Sequence, residues 1–385
     1  MNEESTSPEI IPPAQGPAAR ALSRVRASSF AWKMVTVVIA TAAAVMLSAV
    51  IPARGLAAIV PGRALIDDDT VAQKPGSANP TATRVSIAAD GLDDPDGSIL
   101  FTTVQLDTSI SVFDWLSSEV DDDIDLRRRS DVLGDRTDVD NREINLEMMQ
   151  VSKDNAVVAA LEYLGIPVFD ETGLGIDTVR DDGPAQGVLV AGDVIVAVDG
   201  VPITGFASLQ DVLATAAPGD VGVITVEKFD TLERRVVELA WGEHPDRPGD
   251  AYIGVNIVPR QEELPLPFEV EIDSGSIGGP SAGLAFSLTI LDLLTDGDLT
   301  GGLDVAVTGT IAIDGTVGPV GGSGQKAAAA RDAGAAAFIV PLDMVPIAAP
   351  HAGDMPVIGV STLEEALGVL ADLGGDPASQ ELIVR

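Results

Sequence analysis

The sequence contains no cysteine and only two histidines, which narrows the chemistry open to it. Without cysteine it can form neither disulfide bonds nor thiolate metal sites. His244 and His351 lie far apart along the chain, and we expect them at the surface or in turns rather than as ligands. We therefore predict no metal site and no cofactor.

Basic residues are also scarce. The chain has 23 Lys and Arg but 59 Asp and Glu, which gives a formal net charge of −36. A chain this acidic repels phosphate backbones, so nucleic acid is excluded as a partner. The 385 residues suit two or three domains, and the 46% of hydrophobic residues can fill their cores.

One uncharged apolar run, Met34 to Ile51, follows a basic stretch near the N-terminus. It is long enough to cross a bilayer once, and the preceding positive charges favour a cytoplasmic N-terminus. We expect a cytoplasmic tail over 1–33, a transmembrane anchor over 34–52 and an extracytoplasmic remainder, as in a single-pass protein of the cell membrane. A cleaved signal peptide is the alternative, although its apolar region is usually shorter.

The middle of the chain divides into two parts. Residues 53–165 are predicted as a linker and an N-terminal ectodomain region for which we know no chemistry. Residues 167–242 are predicted as a β-rich module, with a turn at Asp199-Gly200, a helix over Ser208 to Ala216 and a strand over Val221 to Glu227.

This module resembles the PDZ domains of bacterial peptidases, a resemblance carried by the segment from Gly187 to Gly200. Such domains bind extended peptide ends by adding a strand to a sheet edge. The loop for the peptide carboxylate would be Tyr163 to Ile166 or Gly173 to Ile176, and the residues that bind the peptide stay unassigned. A structural spacer is the alternative.

A serine stands at a predicted helix start in Gly279-Pro280-Ser281-Ala282-Gly283, since an apolar run at helical spacing begins directly after it. Free N–H groups and the positive end of the helix dipole would lie near the Ser281 hydroxyl, which suits a developing oxyanion. The alternative is that Ser281 only caps the helix.

A lysine follows further along, after alternating residues from Val305 to Ile313 that predict a hairpin with its turn at Asp314-Gly315. Lys326 comes after Gly321-Gly322 and before Ala327 to Ala330. The small apolar face of this helix would let it pack deeply and take the amine out of water. A lysine acts as a base only when neutral, and desolvation lowers its pKa.

Together these two motifs resemble the proteolytic domain of Lon-type serine peptidases over about residues 250–372. Gly279 to Gly283 is similar to the nucleophile motif of that family, and Thr308-Gly309 with Gly321-Gly322 and Lys326 is similar to its lysine motif. The resemblance implies that Ser281 is the nucleophile and Lys326 the general base of a Ser/Lys dyad.

Two positions depart from the pattern of the family. Gly278 stands where it usually carries an acidic residue, and Thr310 stands where a glutamate commonly follows the Thr-Gly pair. These departures concern the surroundings that tune Ser281 and Lys326, while both residues of the dyad are present.

Two other motifs are similar to the same stretch. A G-x-S-x-G elbow would make Ser281, Asp343 and His351 a triad, but it needs a buried strand directly before the serine, and Asp273 to Ser276 is polar. A P-loop needs Gly-Lys-Ser/Thr, and the sequence has Gln325-Lys326-Ala327 instead. We find no Walker-like segment, so no ATPase module is predicted.

The predicted fold is multi-domain α+β: an N-terminal transmembrane helix, a PDZ-like module over 167–242 and a Lon-protease-like α/β domain over 250–375. The predicted function is a membrane-anchored serine endopeptidase that cleaves peptides or proteins outside the cytoplasm, alone or as a homo-oligomer. A non-catalytic PDZ adaptor with a silent Lon-like domain is the alternative.

Overall fold

The computed structural model describes residues 41, 46–49, 69–92, 95–376 and 382–383. The predicted tail over 1–33 lies outside this range, as does most of the predicted anchor over 34–52. In the described part of the chain, no helix combines the length and apolar character needed to cross a membrane.

A six-stranded mixed sheet organises the larger part of the described chain, in the strand order β18-β17-β14-β3-β1-β4. The strands β3, β14, β17 and β18 run parallel, while β1 is antiparallel to both of its neighbours. The six strands are β1 (Thr70–Pro80), β3 (Ser98–Asp107), β4 (Asp125–Arg128), β14 (Asp304–Val307), β17 (Ala337–Pro341) and β18 (Val357–Val360).

Helices cover both faces of this sheet, so its central strands are apolar on both sides. Alternate residues of β14 show the division: Val305 and Val307 belong to the larger core, and Ala306 belongs to the smaller core on the other face. The helices, numbered along the described chain, are α1 (Val112–Ser118), α2 (Arg129–Leu133), α3 (Asp138–Tyr163), α4 (Phe206–Ala214), α5 (Gly283–Leu294), α6 (Ser323–Asp332), α7 (Val345–Ala348) and α8 (Leu363–Asp372).

The helix that follows Ser281, α5, and the helix that contains Lys326, α6, lie on opposite faces of the sheet. Helices α3, α5 and α8 pack into the larger core, whereas α6 packs through Ala327 and Ala330 into the smaller one. A site that needs residues from α5 and α6 must therefore form at an end of the strands that separate them, which is the usual place for a site in such sheets.

The predicted hairpin from Val305 onward is only partly correct. Val305 and Val307 lie in the central parallel strand β14, and only β15 (Thr310–Ile311) and β16 (Val317–Gly318) pair around the turn at Asp314-Gly315. The alternating apolar residues could not distinguish a hairpin strand from a central parallel strand, because β14 is buried on both faces and needs no polar side.

A second sheet forms the predicted PDZ-like module around a core of its own, with the order β12-β5-β6-β8-β9 and with β7 paired to β6. The turn at Asp199-Gly200 is confirmed, since both residues have positive φ angles of 51° and 79°. The strands are β5 (Phe169–Val179), β6 (Asp193–Val198), β7 (Val201–Pro202), β8 (Val221–Lys228), β9 (Arg234–Ala240) and β12 (Val255–Glu263), and α4 lies between β7 and β8.

The described chain differs in two ways from the predicted division into domains. Within the region 53–165, β1, β3 and β4 complete the same sheet as β14 and β17, and α3 packs against α5. The module predicted to end at residue 242 gains the strand β12, which pairs along β5.

The PDZ-like sheet is thus an insertion between α3 and the strand β13 (Val270–Ile272), which pairs with β2 (Val85–Ile87) in the larger part. The chain enters and leaves the insertion at neighbouring points, because the Leu264 N–H donates to the Val168 carbonyl at 2.9 Å. The pairing connects segments more than 90 residues apart, which no local pattern in the sequence records. A small hairpin of β10 (Gly242–His244) and β11 (Arg247–Tyr252) packs onto the PDZ-like module, since Ala251 lies in its core.

Candidate active site

Ser281 lies on a tight turn that leads into a buried helix. The chain passes from Gly279, which has a φ of 93°, through a 3-10 turn over Pro280–Ala282 and into α5. A positive φ favours glycine, so the glycine at 279 is required by the turn. The serine is half-buried, and its hydroxyl makes no hydrogen bond with any residue that the structure describes. The predicted helix-start position is confirmed, with the 3-10 turn as an added detail.

Lys326 lies in the first turns of α6, which begins after the left-handed residue Gly322 at a φ of 67°. The side chain is only 3% exposed, and the four alanines after it are buried with it. Its Nζ donates to Thr308 Oγ1 at 3.1 Å, and within the described ranges no carboxylate forms an ion pair with it. Burial lowers the pKa of Lys326 to about 7.

Thr308 joins the two halves of the site. It follows β14 directly, and its hydroxyl accepts the hydrogen bond from Lys326 while donating to the Ser281 carbonyl at 3.1 Å. The Gly309 N–H donates to the same carbonyl at 3.0 Å. The sequence motif includes Thr308, but its bridging position depends on the meeting of α5, α6 and β14.

A cavity of about 930 Å³ brings Ser281 and Lys326 together. Strands β1 and β3, helix α3 and the loop before Ser281 also line it. Lys326 is the one ionisable group among the described residues that line this cavity, although the chain as a whole has 21% charged residues. The space available for a reacting group is therefore neutral apart from the lysine.

The structure accounts for the glycine at position 278. A Cβ placed on Gly278 would lie 2.9 Å from Asn145 Cβ and 3.1 Å from the Asn145 carbonyl carbon, both on α3. The adjacent Gly279 N–H donates to the Asn145 carbonyl at 2.7 Å. Helix α3 therefore occupies the space that an acidic side chain would need. Thr310, the second departure from the pattern, also lines the cavity.

Neither alternative reading of the stretch fits this geometry. His351 Nδ1 lies 2.7 Å from Asp123 Oδ1, and neither His351 nor Asp343 lines the cavity that contains Ser281. The turn that carries Ser281 follows a loop, whereas the elbow of an α/β-hydrolase would need a buried strand directly before the serine. Lys326 contacts Thr308 in the interior, so it is not placed as a P-loop lysine.

Neither segment predicted for the peptide carboxylate lies at an open sheet edge. Gly173 to Ile176 belong to β5, which is paired on both sides by β12 and β6. Tyr163 to Ile166 close the end of α3 and pack against the larger core. At this side of the sheet, β12 is the outermost strand, and Val255 and Ile257 pack half-buried against the same core as Val212 of α4.

Two known families match separate segments of the chain. Residues 269–370 match the Lon protease (S16) C-terminal proteolytic domain, and residues 142–239 match the PDZ domain. The match to the Lon domain begins at the strand β13 and ends in α8, and it includes Ser281 and Lys326.

Several curated Lon proteases are similar to part of the chain. The Lon protease of Campylobacter concisus is 37% identical over 94 residues, which is 23% of this chain and 11% of that protein. The Lon protease of Phenylobacterium zucineum is 30% identical over 128 residues, 33% of this chain and 16% of that protein. The chain thus spans only a small fraction of the length of these relatives.

Among solved structures, a PDZ domain of an SdrC-like protein from Listeria monocytogenes is 25% identical, with a TM-score of 0.21, and the match covers 23% of this chain and 88% of that one. A protein from Geobacillus thermodenitrificans is 28% identical with a TM-score of 0.20, over 22% of this chain and 95% of that one. On the family matches, the chain carries a PDZ domain together with a C-terminal proteolytic domain of the Lon protease type.

Proposed function

We propose that this protein is a serine endopeptidase in which Ser281 is the nucleophile and Lys326 the general base. The observation that carries the proposal is the lysine amine, 3% exposed and with no carboxylate partner among the described residues, in the cavity that also contains Ser281. Because burial lowers the pKa of Lys326 to about 7, a large fraction of the amine is neutral at neutral pH.

In the proposed mechanism, the neutral amine of Lys326 takes the proton from Ser281 Oγ as this oxygen attacks the substrate carbonyl. The resulting ammonium returns the proton to the leaving amine, which leaves an ester on Ser281. Water then attacks the ester with Lys326 again as the base. Thr308 Oγ1 accepts one N–H of the amine, so it restricts the direction of the remaining lone pair.

A fluorophosphonate probe tests the proposal without knowledge of the substrate. We expect the purified protein to be labelled at one residue, Ser281, and peptide mapping by mass spectrometry identifies the site. The rate of labelling should rise with pH through a midpoint near the pKa of Lys326, about 7. Absence of labelling across this pH range would support the non-catalytic adaptor instead.

The neutral lining of the cavity supports a substrate class. Around Ser281 it presents apolar surfaces from Phe101, Met148 and Ile277 and amides from Gln73 and Asn145. A charged substrate side chain would lose water here without gaining an opposite charge. We propose that cleavage occurs between residues with uncharged side chains.

Matched quenched peptides test this specificity. Starting from a neutral peptide that is cleaved at one mapped bond, we expect Lys or Glu next to that bond to lower kcat/KM by at least about tenfold, from the cost of burying an unpaired charge. A neutral Gln at the same position is the control for size. Equal cleavage of the charged and neutral peptides would contradict the proposal.

We further propose that the PDZ domain recruits peptide segments of protein substrates through the free edge of β12. Its position as the outermost strand supports this, because an added peptide strand would extend the sheet, and Val255 and Ile257 of β12 pack against the same core as Val212 of α4. The chain enters the domain after Val168 and leaves it before Leu264, and the backbones of these two residues are hydrogen-bonded to each other. The domain can therefore be removed as a unit.

Replacing residues 169–263 with a short Gly-Ser linker should leave cleavage of a short fluorogenic peptide within a few-fold of the parent. Cleavage of an unfolded protein substrate should fall by about tenfold or more. The PDZ domain would no longer hold the substrate, so it would no longer raise the local concentration of substrate at the active site. Both rates are measured on the same preparation. An equal loss for both substrates would make the domain a structural support.

Membrane anchoring and action outside the cytoplasm remain proposals based on the apolar run from Met34 to Ile51 and its basic flank. Protease added to intact cells should then digest both domains. Protection of both domains, with lysis required for digestion, would contradict this orientation.

A further inference from the structure

Helix α3 contacts the turn that carries the proposed nucleophile, Gly279 to Ala282, which we call the nucleophile turn. The helix lies outside the segment that matches the Lon domain, residues 269–370, and mostly inside the segment that matches the PDZ domain, residues 142–239. One face of the helix is directed at this turn and at the following hairpin. The hydrogen bonds that join α3 to the turn and the hairpin are Gly279 N–H to Asn145 O at 2.7 Å, Ser152 Oγ to Pro280 O at 2.8 Å and Asn155 Nδ2 to Ile311 O at 3.0 Å.

Ser152 makes the contact closest to the nucleophile. It is 3% exposed and lies on the same face of α3 as the buried Met149 and Ala156. A polar residue buried on an apolar helix face needs a partner, and its hydroxyl finds one in the Pro280 carbonyl. This carbonyl also accepts the N–H of Gly283, so two donors from different elements hold it.

The peptide bond between Pro280 and Ser281 transmits this restraint to the serine. In a trans peptide the C=O and the following N–H point in opposite directions. Since the Pro280 carbonyl is directed at α3, the Ser281 N–H must point away from that helix. This N–H donates to no group among the residues that the structure describes. It is therefore free to stabilise an oxyanion that forms on a carbonyl attacked by the Ser281 hydroxyl.

We propose that Ser152 is a positioning residue that orients the Pro280–Ser281 peptide, so that α3 forms part of the catalytic centre. The inference rests on the proposed function of Ser281. Without the Ser152 hydroxyl, the carbonyl keeps only the Gly283 N–H, and the peptide plane can rotate. Both the Ser281 N–H and the base of its side chain then lose their alignment.

The test compares Ser152→Ala with Ser287→Ala. Ser287 is a matched control because its hydroxyl is also buried and also connects α5 to α3, through Ala156 O at 3.2 Å. Its other hydrogen bond, to Gly283 O at 3.2 Å, lies within α5, so the Pro280 carbonyl keeps both of its donors when this hydroxyl is removed. We expect Ser152→Ala to lower kcat on a short peptide by about 10- to 100-fold, the usual cost of a small misplacement of reacting groups, with KM within about threefold. Ser287→Ala should keep kcat within about threefold of the parent.

Two further measurements separate positioning from loss of structure. The pH midpoint of kcat/KM should be the same in Ser152→Ala and the parent, because Lys326 is untouched. Ser152→Cys keeps the size of the side chain but donates a weaker hydrogen bond, so it should give an intermediate kcat. This variant replaces Ser152→Ala in the test if the alanine variant fails to fold. Equal kcat values for the Ser152 and Ser287 variants would overturn the inference. A parent without Ser281-dependent turnover would overturn the proposed function instead.

Discussion

Ser281→Ala is expected to lower peptide cleavage by about 10³-fold or more, whereas His351→Ala should leave it within a few-fold. The alanine variant lacks the proposed nucleophile, and serine peptidases lose several orders of magnitude in kcat when their nucleophile is removed. His351 hydrogen-bonds to Asp123, away from the cavity that holds Ser281. Initial rates on a quenched peptide at fixed pH measure both effects.

Ser276→Ala is the matched control for this experiment, because Ser276 lines the same cavity without a place in the dyad. His351→Ala also removes a contact with Asp123, so its unfolding temperature is measured alongside its rate. A folded His351→Ala protein that has lost activity by orders of magnitude would reinstate a Ser-His-Asp triad.

Lys326→Met is expected to abolish cleavage and at the same time to raise the free energy of unfolding at pH 7. The folded pKa of Lys326 is lowered from 10.5 to about 7 by burial, so the unfolded chain binds more protons between these values. The lysine therefore destabilises the fold by about 4–5 kcal/mol at neutral pH, as an order of magnitude, from about 1.4 kcal/mol for each unit of pKa. Methionine keeps the apolar stem without the amine.

The pH dependence has a definite sign. Below pH 7 the penalty is fully present, between about 7 and 10.5 it falls as the pH rises, and above 10.5 it is gone. The difference in stability between the Lys326→Met variant and the parent should therefore shrink from pH 7 towards pH 10. Denaturant unfolding at several pH values measures it.

Lys74→Met is the matched control with the opposite expectation. Lys74 Nζ lies 3.1 Å from Asp107 and 2.7 Å from Asp114, so its removal leaves two partly buried carboxylates without their partner. This variant should lose stability at pH 7. If Lys326→Met lost stability in the same way, Lys326 would be charged and paired in the folded protein, and its assignment as the base would fall.

Much of the candidate site follows from local patterns. Gly279 before Pro280 and Ser281 predicts a turn into a helix, because only glycine adopts the positive φ at low cost. Ala327 to Ala330 predict a helix that packs closely, and this burial is what desolvates Lys326. The turn at Asp199-Gly200 was likewise readable from two residues. In each case the information lies within a few positions.

What the sequence could not supply are contacts between distant segments. Ser152 and Pro280 are 128 positions apart, and a serine within a helix has no local feature that predicts its partner. The only signal was a small polar residue between apolar neighbours on one helix face. The membership of β1 and β3 in the same sheet as β14 is a contact of the same kind, since both read as ordinary strands whatever sheet they join.

The sequence by itself determined the two motifs, their turns and the small residues around Lys326, because backbone dihedrals and helix packing respond to neighbouring residues. Only the tertiary structure decided that Thr308 joins the serine and lysine segments, that α3 takes the space beside Gly278, and that β12 forms the outer edge of the PDZ sheet. These features depend on which elements pack or pair together, and that choice is made by the burial of the whole chain rather than by any local pattern.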